Sequence, residues 1–287
     1  MYTKFNTKLF SICYLPEHFS SVGTRFEPWD NIENLNADLR EFPIFERAFN
    51  SDLTKNLDFW GLVSPKFEKK AGITGSHFLS WIDATQLINP CDVYFINPVP
   101  IVEAIFPGTI QHGENCHPGL LGLLQRHIPV DLQIDLFTLY MDCNTFSLCN
   151  YFVGNRKFWA KYITFVNEFL TFVSHNSEDE EIVYRKSANY GPNKSLPYYT
   201  FAIERLFSVF LNLELRKKDG IRATHYPYTR EALLTKTGLP EAIVDELIAL
   251  SDIKQISISA GYRGMLKHWA FYRNRFCQQN PYIFLME

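Results

Sequence analysis

Two short apolar segments flank a stretch of helical periodicity, and this pattern restricts the fold more than any other feature of the sequence. The apolar segments are Phe59–Val63 and Asp92–Ile96, and Ser76–Ile88 between them carries apolar side chains at roughly helical spacing. Strand, helix and strand in this order are typical of a βαβ unit. An earlier apolar segment, Lys8–Leu15, is followed by a proline and predicts another buried strand. The sequence therefore predicts an α/β fold.

Two longer segments predict helices that pack against such a sheet. In Phe158–Val173 the apolar residues recur at helical spacing, which indicates an amphipathic helix of about four turns. A second helix is predicted over Phe201–Leu215, because the basic residues after it suit the negative end of its dipole. The polar stretch Glu178–Pro197 contains Gly191–Pro192 and is predicted to be a long surface loop.

The last third of the chain has a different pattern. Thr229–Lys236 and Pro240–Leu250 predict two short helices, and Ile256–Ile258 predicts a strand. We therefore divide the chain into an α/β domain of residues 1–220 and a mainly helical C-terminal subdomain of residues 221–287. The sequence assigns no function to the second part.

The charge balance restricts the partners. The 287 residues include 28 basic and 31 acidic side chains, which gives a formal net charge of −3. Nucleic-acid binders concentrate positive charge, so we expect no nucleic-acid partner. Neither a signal peptide nor an uninterrupted apolar span is evident, and we expect a cytoplasmic protein. The six cysteines form no CxxC pair and predict reduced thiols. Aromatic residues are abundant, with 25 Phe, 15 Tyr and 5 Trp.

Common catalytic motifs are absent from the sequence. It contains no GxxxxGK[ST], GxGxxG, GxSxG or HExxH, which disfavours P-loop, dinucleotide-binding, serine-hydrolase and zincin chemistry. No clustered carboxylates support the two-metal chemistry of nucleases or nucleotidyltransferases. The residues that carry chemistry must therefore be distributed along the chain.

Four segments and one histidine carry a resemblance to a known family. The segments are Phe59–Lys70, Asn89–Pro98 with its D-V-x-x-x-x-P pattern, Cys149–Trp159 with its CN-x-F turn, and Ala202–Phe207 with its ERLF sequence; His117 precedes the third. Their order and spacing resemble a family of bacterial glycosyltransferases for capsular and cell-surface polysaccharides. The resemblance covers about residues 8–215.

This resemblance implies a GT-A-like fold, meaning a single Rossmann-like α/β domain. It implies transfer of a sugar from a nucleotide-sugar donor to a hydroxyl of a growing surface polysaccharide, with a glycan or a lipid-linked glycan as acceptor. It also implies a cytoplasmic enzyme, with peripheral association at the inner face of the cell membrane.

Glu204 is the predicted catalytic base. An inverting sugar transfer needs a carboxylate that takes the proton of the acceptor hydroxyl, and the resemblance implies that a helix in the later half of the domain supplies it. Glu204 lies near the start of the second predicted helix. Alternatively, Glu204 complements the helix dipole or pairs with Arg205. We predict that Arg205 contacts either the donor diphosphate or an acidic acceptor.

The remaining predicted donor contacts are polar residues at the ends of elements. Relatives often carry a His-Tyr-Arg-Arg segment where this chain has Ser64–Lys66, so Lys66, with Lys69 and Lys70 nearby, is predicted to compensate the charge of the leaving diphosphate. The alternative for these lysines is the solvated start of a loop. Asp92 is expected at the end of a strand, where ligands of open α/β sheets collect. The resemblance further implies donor contacts by His117 and Asn150, whose alternatives are an ordinary histidine and a structural turn residue.

Aromatic and metal contacts complete the expectations. Trp60 or Tyr94 is predicted to stack on the base or sugar of the donor. GT-A enzymes usually hold a divalent cation with Asp-x-Asp, and this chain lacks that triplet; Asp92–Tyr94 and Asp142–Asn144 are the nearest substitutes. We therefore assign no metal ligands and leave a requirement for Mn²⁺ or Mg²⁺ open. The alternative function is a non-catalytic carbohydrate- or nucleotide-binding module on the same fold.

Overall fold

The computed structural model describes residues 5–20, 22, 23, 25–33, 39–128, 132, 134–189 and 195–285. Within these residues the chain forms a mixed α/β structure with one large sheet and a separate two-stranded sheet. The strands are β1 (Thr7–Cys13), β2 (Phe26–Asp30), β3 (Phe59–Val63), β4 (Val93–Phe95), β5 (Phe152–Gly154), β6 (Ser187–Asn189), β7 (Ser195–Pro197) and β8 (Ala223–His225).

Helices connect and cover these strands. They are α1 (Pro16–Ser20), α2 (Phe42–Phe49), α3 (Asp52–Lys55), α4 (Phe67–Ala71), α5 (Gly75–Ile88), α6 (Pro100–Ile105), α7 (Thr109–Cys116), α8 (Leu120–His127), α9 (Arg156–Ser174), α10 (Ser177–Tyr184), α11 (Tyr198–Glu214), α12 (Arg230–Thr237), α13 (Glu241–Ser259) and α14 (Arg263–Gln279), and a 3-10 turn covers Pro281–Leu285. Among the described residues, none of these helices has both the length and the apolar character to cross a bilayer.

The large sheet has the strand order β2-β1-β3-β5-β4-β8. Its strands run parallel except β5, which is antiparallel to both of its neighbours. The predicted strand–helix–strand unit is present as β3, α5 and β4. However, β5 lies between its two strands, so β3 and β4 do not pair with each other. Sequence periodicity predicts the elements but not this insertion, because pairing partners are chosen by tertiary packing.

An aromatic core fills the space between the sheet and helices α9 and α11. Phe152 of β5 stacks on Phe207 at 4.4 Å between ring centroids. Trp159 stacks on Trp60 at 3.9 Å and donates a hydrogen bond to the backbone oxygen of Trp60. Both predicted helices are therefore confirmed as helices that face the core, and they account for part of the aromatic surplus.

The segment predicted as a long surface loop is more ordered than the sequence suggests. Residues 177–184 form α10, and strands β6 and β7 pair antiparallel after it. The side chain of Asn176 caps α10, and the carboxylate of Asp179 accepts hydrogen bonds from Arg126 and contacts His127 Nε2 at 2.7 Å. The pairing of Asp179 with Arg126 compensates part of the negative charge of α10. Gly191–Pro192 lies outside the described residues.

The C-terminal third is joined to the main sheet and to its core. Strand β8 pairs with β4 and completes the main sheet. The predicted strand at Ile256–Ile258 is wrong, because these residues belong to the long helix α13. Helix α13 packs on α6, where buried Lys254 forms an ion pair with Glu103 at 2.8 Å. The predicted helical character of this region is confirmed, but its core is continuous with that of the sheet.

Candidate functional site

Polar side chains from five segments meet at the edge of the sheet where the parallel strands end. The segments follow β1 and β3, precede α2 and β5, and include the second turn of α11. Because β5 is antiparallel, its first residue lies at the same edge as the last residues of β1 and β3. Ligands of open α/β sheets collect at this edge, so it is the candidate site.

Glu41 and Asn150 form the centre of this cluster. The side-chain amide of Asn150, which is 4% exposed, donates a hydrogen bond of 2.9 Å to Glu41 Oε2. Arg40 precedes Glu41 and has a φ of 55°, in the left-handed region that residues other than glycine rarely occupy. Such strain persists where the surrounding structure enforces it, often at functional sites.

Helix α11 contributes a second carboxylate and a guanidinium. Arg205 Nη1 donates a hydrogen bond of 2.6 Å to Glu204 Oε2. The side chain of Glu204 is 26% exposed, whereas that of Arg205 is 5% exposed. A carboxylate complements the helix dipole best in the first turn of a helix. Glu204 lies in the second turn of α11. Of the two alternatives to catalysis, the structure contains the pairing with Arg205.

The segments after β3 and before β5 supply the remaining groups. Lys70 Nζ lies 3.9 Å from the sulfur of Cys149, and the hydroxyls of Ser64 and Tyr151 are 2.9 Å apart. Tyr151 therefore reaches the site edge through its hydroxyl while its ring packs on Phe67. The exposed Lys70 is the cation on this side of the cluster.

Burial alters the protonation of both carboxylates. Burial raises the pKa of Glu41 to about 7; the hydrogen bond from Asn150 opposes this rise, and the negative charge of Glu204 adds to it. Burial also raises the pKa of Glu204, against the positive charges of Arg205 and Lys70. A carboxyl group that titrates near neutral pH can both accept and donate a proton under physiological conditions.

Three polar atoms at or beside the cluster have no hydrogen-bond partner within the described residues. They are Asn150 Oδ1, Arg205 Nε and the hydroxyl oxygen of Tyr162, and all three are buried. Tyr162 is close enough to Glu41 and Glu204 for their charges to raise the pKa of its hydroxyl, after burial as the main cause. Buried polar groups are normally satisfied, so these atoms are suited to a ligand or to ordered water.

The structure brings together three of the residues that the sequence analysis selected. Glu204, Arg205 and Asn150 are all part of the cluster. Lys66 is exposed and lies after β3, at the start of α4 and at the same edge of the sheet. However, the lysine that contacts the cluster is Lys70, one helical turn later. His117 is 6% exposed and its ring packs on Phe201 at 3.7 Å, so it lies between α7 and α11.

Asp92 lies at the opposite edge of the sheet, and its predicted place at the carboxyl end of a strand is wrong. It precedes β4, where its carboxylate accepts hydrogen bonds from the Arg222 amide at 2.8 Å and from Asn155 at 2.9 Å. Lys157 lies 3.4 Å away. Burial alone would raise the pKa of Asp92, but these hydrogen bonds and the lysine charge lower it below its ordinary value. Asp92 joins β4, β8 and α9.

The predicted stacking roles of Trp60 and Tyr94 also require correction. Trp60 is 3% exposed and one face of its ring is covered by Trp159. Tyr94 is fully buried, and its hydroxyl accepts a hydrogen bond of 2.8 Å from the Cys91 amide at the start of β4. Neither ring is open to a ligand. The sequence places both residues on strands, but it does not specify which side chains the helices cover.

A requirement for Mn²⁺ or Mg²⁺ stays open, and the two aspartates nearest to an Asp-x-Asp pattern, Asp142 and Asp92, are both engaged by neighbouring groups. Asp142 binds Asn144 through both carboxylate oxygens, and Asp92 is engaged as described above. Within the described residues, His, Cys, Asp and Glu side chains form no group of three or more arranged to hold a metal ion. We derive no step through a metal.

Glu41 was not selected by the sequence analysis. It directly precedes α2 and is 163 positions from Glu204, so no spacing rule connects the two carboxylates. An acidic residue before a Phe-Pro helix start is an ordinary sequence feature. The tertiary structure places Glu41 beside Asn150.

Comparisons of this chain with protein-family models, with curated proteins and with solved structures found no match.

Proposed function

We propose that this protein is a glycosyltransferase that moves a sugar from a nucleotide-sugar donor to a hydroxyl of a surface polysaccharide or another glycan. The observation that supports it best is the cluster of Glu204, Arg205, Asn150, Glu41 and Lys70 at the ligand-binding edge of the sheet. This cluster combines carboxylates that accept a proton with cations that stabilise a leaving diphosphate. The mostly parallel sheet is compatible with the proposed GT-A-like fold.

The proposed reaction assigns a task to each charged group. The acceptor oxygen forms a bond to the anomeric carbon of the donor sugar, and its proton moves to Glu204. The bond between the anomeric carbon and the diphosphate oxygen breaks, and its electron pair leaves with the nucleoside diphosphate. Lys70 and Arg205 stabilise the charge on that leaving group. Asn150 and Glu41 bind sugar hydroxyls.

The first experiment tests donor binding. Thermal unfolding is measured with a panel of nucleotide-sugars and with UDP, GDP, CDP and CMP, each with and without Mn²⁺. A ligand that binds only the folded state raises the melting temperature by mass action. We expect at least one nucleotide to do so; the absence of any shift would contradict the proposal.

The second experiment tests the roles of the residues once a donor is known. Glu204→Gln should abolish sugar transfer and preserve donor binding, since the amide cannot take a proton. Lys70→Ala should weaken donor binding, whereas Lys69→Ala on the same exposed helix should not. Transfer that persists in Glu204→Gln would remove this residue as the base, and equal effects of the two lysine variants would remove Lys70 as a diphosphate contact.

A non-catalytic binding module is the second candidate. The ion pair between Arg205 and Glu204, at 2.6 Å, favours it because the guanidinium charge opposes the rise that burial causes in the pKa of Glu204. This candidate predicts a thermal shift with a nucleotide or nucleotide-sugar and no release of nucleoside diphosphate with any acceptor. Release of diphosphate that depends on Glu204 would favour the enzyme.

For the proposed peripheral association with a membrane, helix α14 offers a suitable surface. The helix contains four Lys or Arg residues and no Asp or Glu. Its exposed face carries Lys267, His268 and Arg275 beside Phe271 and Tyr272, which are 64% and 49% exposed. Aromatic rings among cations suit the interface of a membrane with anionic lipids. We propose this face as the contact with the membrane.

A further inference from the structure

Lys236, in the last turn of α12, brings a second lysine to the candidate site. Its ammonium donates a hydrogen bond to the backbone oxygen of Lys70. Its stem lies across Gly72, where a Cβ atom would be 3.6 Å from Lys236 Cδ. The C-terminal third, for which the sequence offered no role, therefore contributes a cation next to the lysine proposed to contact the donor diphosphate.

Tyr228 and the end of α4 hold Lys236 in this place. The hydroxyl of Tyr228 donates a hydrogen bond of 2.6 Å to the backbone oxygen of Ala71, and Lys236 Nζ lies 5.8 Å from the centre of the Tyr228 ring. Two side chains of the C-terminal third thus bind consecutive carbonyl groups at the end of α4. Donors and cations complement the negative end of a helix, so Lys236 has a structural role as a cap of α4.

The thiol of Cys149 marks the point where Lys236 meets the other cations of the site. Its sulfur lies 3.9 Å from Lys70 Nζ. The positive charges of Lys70 and Arg205 oppose the rise that burial causes in the pKa of Cys149. Burial lowers the pKa of Lys236, and the charge of an ionised Cys149 opposes that change. Three cations from separate parts of the chain therefore lie near one thiol.

The charges around this thiol favour an anion. Its neighbours also include the carboxylates of Glu204 and Glu41. Glu204 is already paired with Arg205 at 2.6 Å, and Glu41 is partly protonated at neutral pH because its pKa is about 7. Among these groups, three cations face at most two negative charges. The excess positive charge attracts an anionic ligand.

We propose that Lys236 binds the donor diphosphate together with Lys70, so that the C-terminal third completes the donor site. An ammonium group has three donors, and within the described residues Lys236 uses one of them, for the Lys70 carbonyl. Charge-assisted hydrogen bonds to phosphate oxygens are among the strong ones, and two ammonium groups can contact both phosphates. This inference rests on the proposed function, because it adds a contact to the same donor.

The test titrates the full chain with inorganic pyrophosphate and with inorganic phosphate, followed by protein NMR, without sugar or acceptor. We expect pyrophosphate to bind saturably and more tightly than phosphate. Lys236→Gln keeps a donor for the Lys70 carbonyl but loses the charge, and it should weaken pyrophosphate binding about tenfold, as for one hydrogen bond to a charged group. Lys236→Arg keeps the charge and should stay within about twofold of the wild type. Lys267→Gln, on the exposed face of α14, should bind as the wild type does.

Three results would overturn the contact between Lys236 and the diphosphate. The first is the absence of saturable pyrophosphate binding to the wild-type protein. The second is equal pyrophosphate affinity in the wild type and in Lys236→Gln, with thermal unfolding showing that the variant is folded. The third is an equal loss in Lys236→Gln and Lys236→Arg, which would assign the effect to the capping of α4.

Two patterns of results distinguish failure of this contact from failure of the proposed function. Sugar transfer or nucleotide binding that is unchanged in Lys236→Gln would keep the transferase and remove the Lys236 contact. Conversely, pyrophosphate binding that depends on Lys236, without turnover of any nucleotide-sugar, would keep the anion site and contradict the transferase.

Discussion

The side-chain amide of Asn150 donates a 2.9 Å hydrogen bond to the carboxylate of Glu41, which lies 109 positions earlier in the chain. This contact holds the start of α2 against the residue pair that precedes β5. It also fixes one carboxyl group beside the charge of Glu204, which raises the pKa of Glu41 further after burial as the main cause. The contact therefore links the architecture of the sheet edge to its protonation state.

Glu41 should make the stability of the protein depend on pH. Its pKa is about 7 in the folded state, against an ordinary value of 4.5, so the folded state binds a proton more tightly than the unfolded state. Stability should therefore fall as the pH rises from the ordinary value to the folded one. In urea unfolding, the wild type should lose on the order of 2 kcal/mol relative to Glu41→Gln across this window.

The control for this prediction is Glu17→Gln, which alters an exposed carboxyl group in α1. Its unfolding free energy should follow that of the wild type at every pH. If Glu41→Gln also ran parallel to the wild type, the raised pKa of Glu41 would be contradicted.

Asp92 should contribute to stability and not to donor binding. Asp92→Asn presents an amide group to the donors of Arg222 and Asn155, and we expect a loss of about 2 kcal/mol at neutral pH. Because the pKa of Asp92 is lowered in the folded state, its contribution is present above the ordinary value of 3.8 and is lost as the pH falls through the folded value. Unfolding in urea measures this effect.

The matched control is Asp52→Asn, whose side chain is 98% exposed and which should change stability little. A nucleotide that shifts the melting temperature of the wild type should shift that of Asp92→Asn equally. Loss of this shift in a folded Asp92→Asn protein would restore Asp92 as a donor contact.

Gly61 allows β3 to approach β5 closely. A Cβ atom there would lie 2.3 Å from the backbone oxygen of Phe152 and 2.9 Å from a methyl group of Val153. Gly61→Ala should therefore reduce the unfolding free energy by about 3 kcal/mol, since a strand backbone must move. Gly122→Ala in α8 meets only Arg126 at 3.6 Å and should stabilise by about 0.5–1 kcal/mol. Similar unfolding free energies for the two variants would contradict the packing of β5 on β3.

Helix α14 should bind anionic vesicles through its exposed face. The wild type should sediment with vesicles that contain phosphatidylglycerol and not with pure phosphatidylcholine, and salt should weaken this binding. The double variant Phe271→Ser, Tyr272→Ser should lose most of it. Phe137→Ser, which changes a residue that is 62% exposed elsewhere, should bind as the wild type does. Equal binding of all variants would exclude this face.

Local patterns in the sequence correctly predicted many elements. The strands at Thr7–Cys13 and Phe59–Val63 and the helices at Gly75–Ile88 and Tyr198–Glu214 follow from apolar periodicity and length. The pattern failed at Ile256–Ile258, because three alternating residues are too short to distinguish a strand from part of a helix. For the elements that were predicted correctly, the apolar pattern is carried by residues close together in the sequence.

The candidate site could be predicted only in part. Glu204 and Arg205 are neighbours on one helix, and Asn150 adjoins a recognisable turn, so motifs identified them. Glu41 carried no such motif. Asp92 was misplaced because it directly precedes its strand, and the sequence of a short strand does not fix which end a polar neighbour occupies.

The sequence by itself determined the α/β class, the positions of most helices and strands, and the residues Glu204, Arg205 and Asn150 as candidates. The class and the elements depend on periodicity and residue type, and the three residues depend on short motifs that resemble a glycosyltransferase family; all of these are local properties. The tertiary structure decided that β5 inserts between β3 and β4, that β8 completes the sheet, and that Glu41 meets Asn150. It also buried Trp60 beneath Trp159. Such contacts join residues far apart in the chain, and they are selected by the packing of the whole core rather than by any one segment.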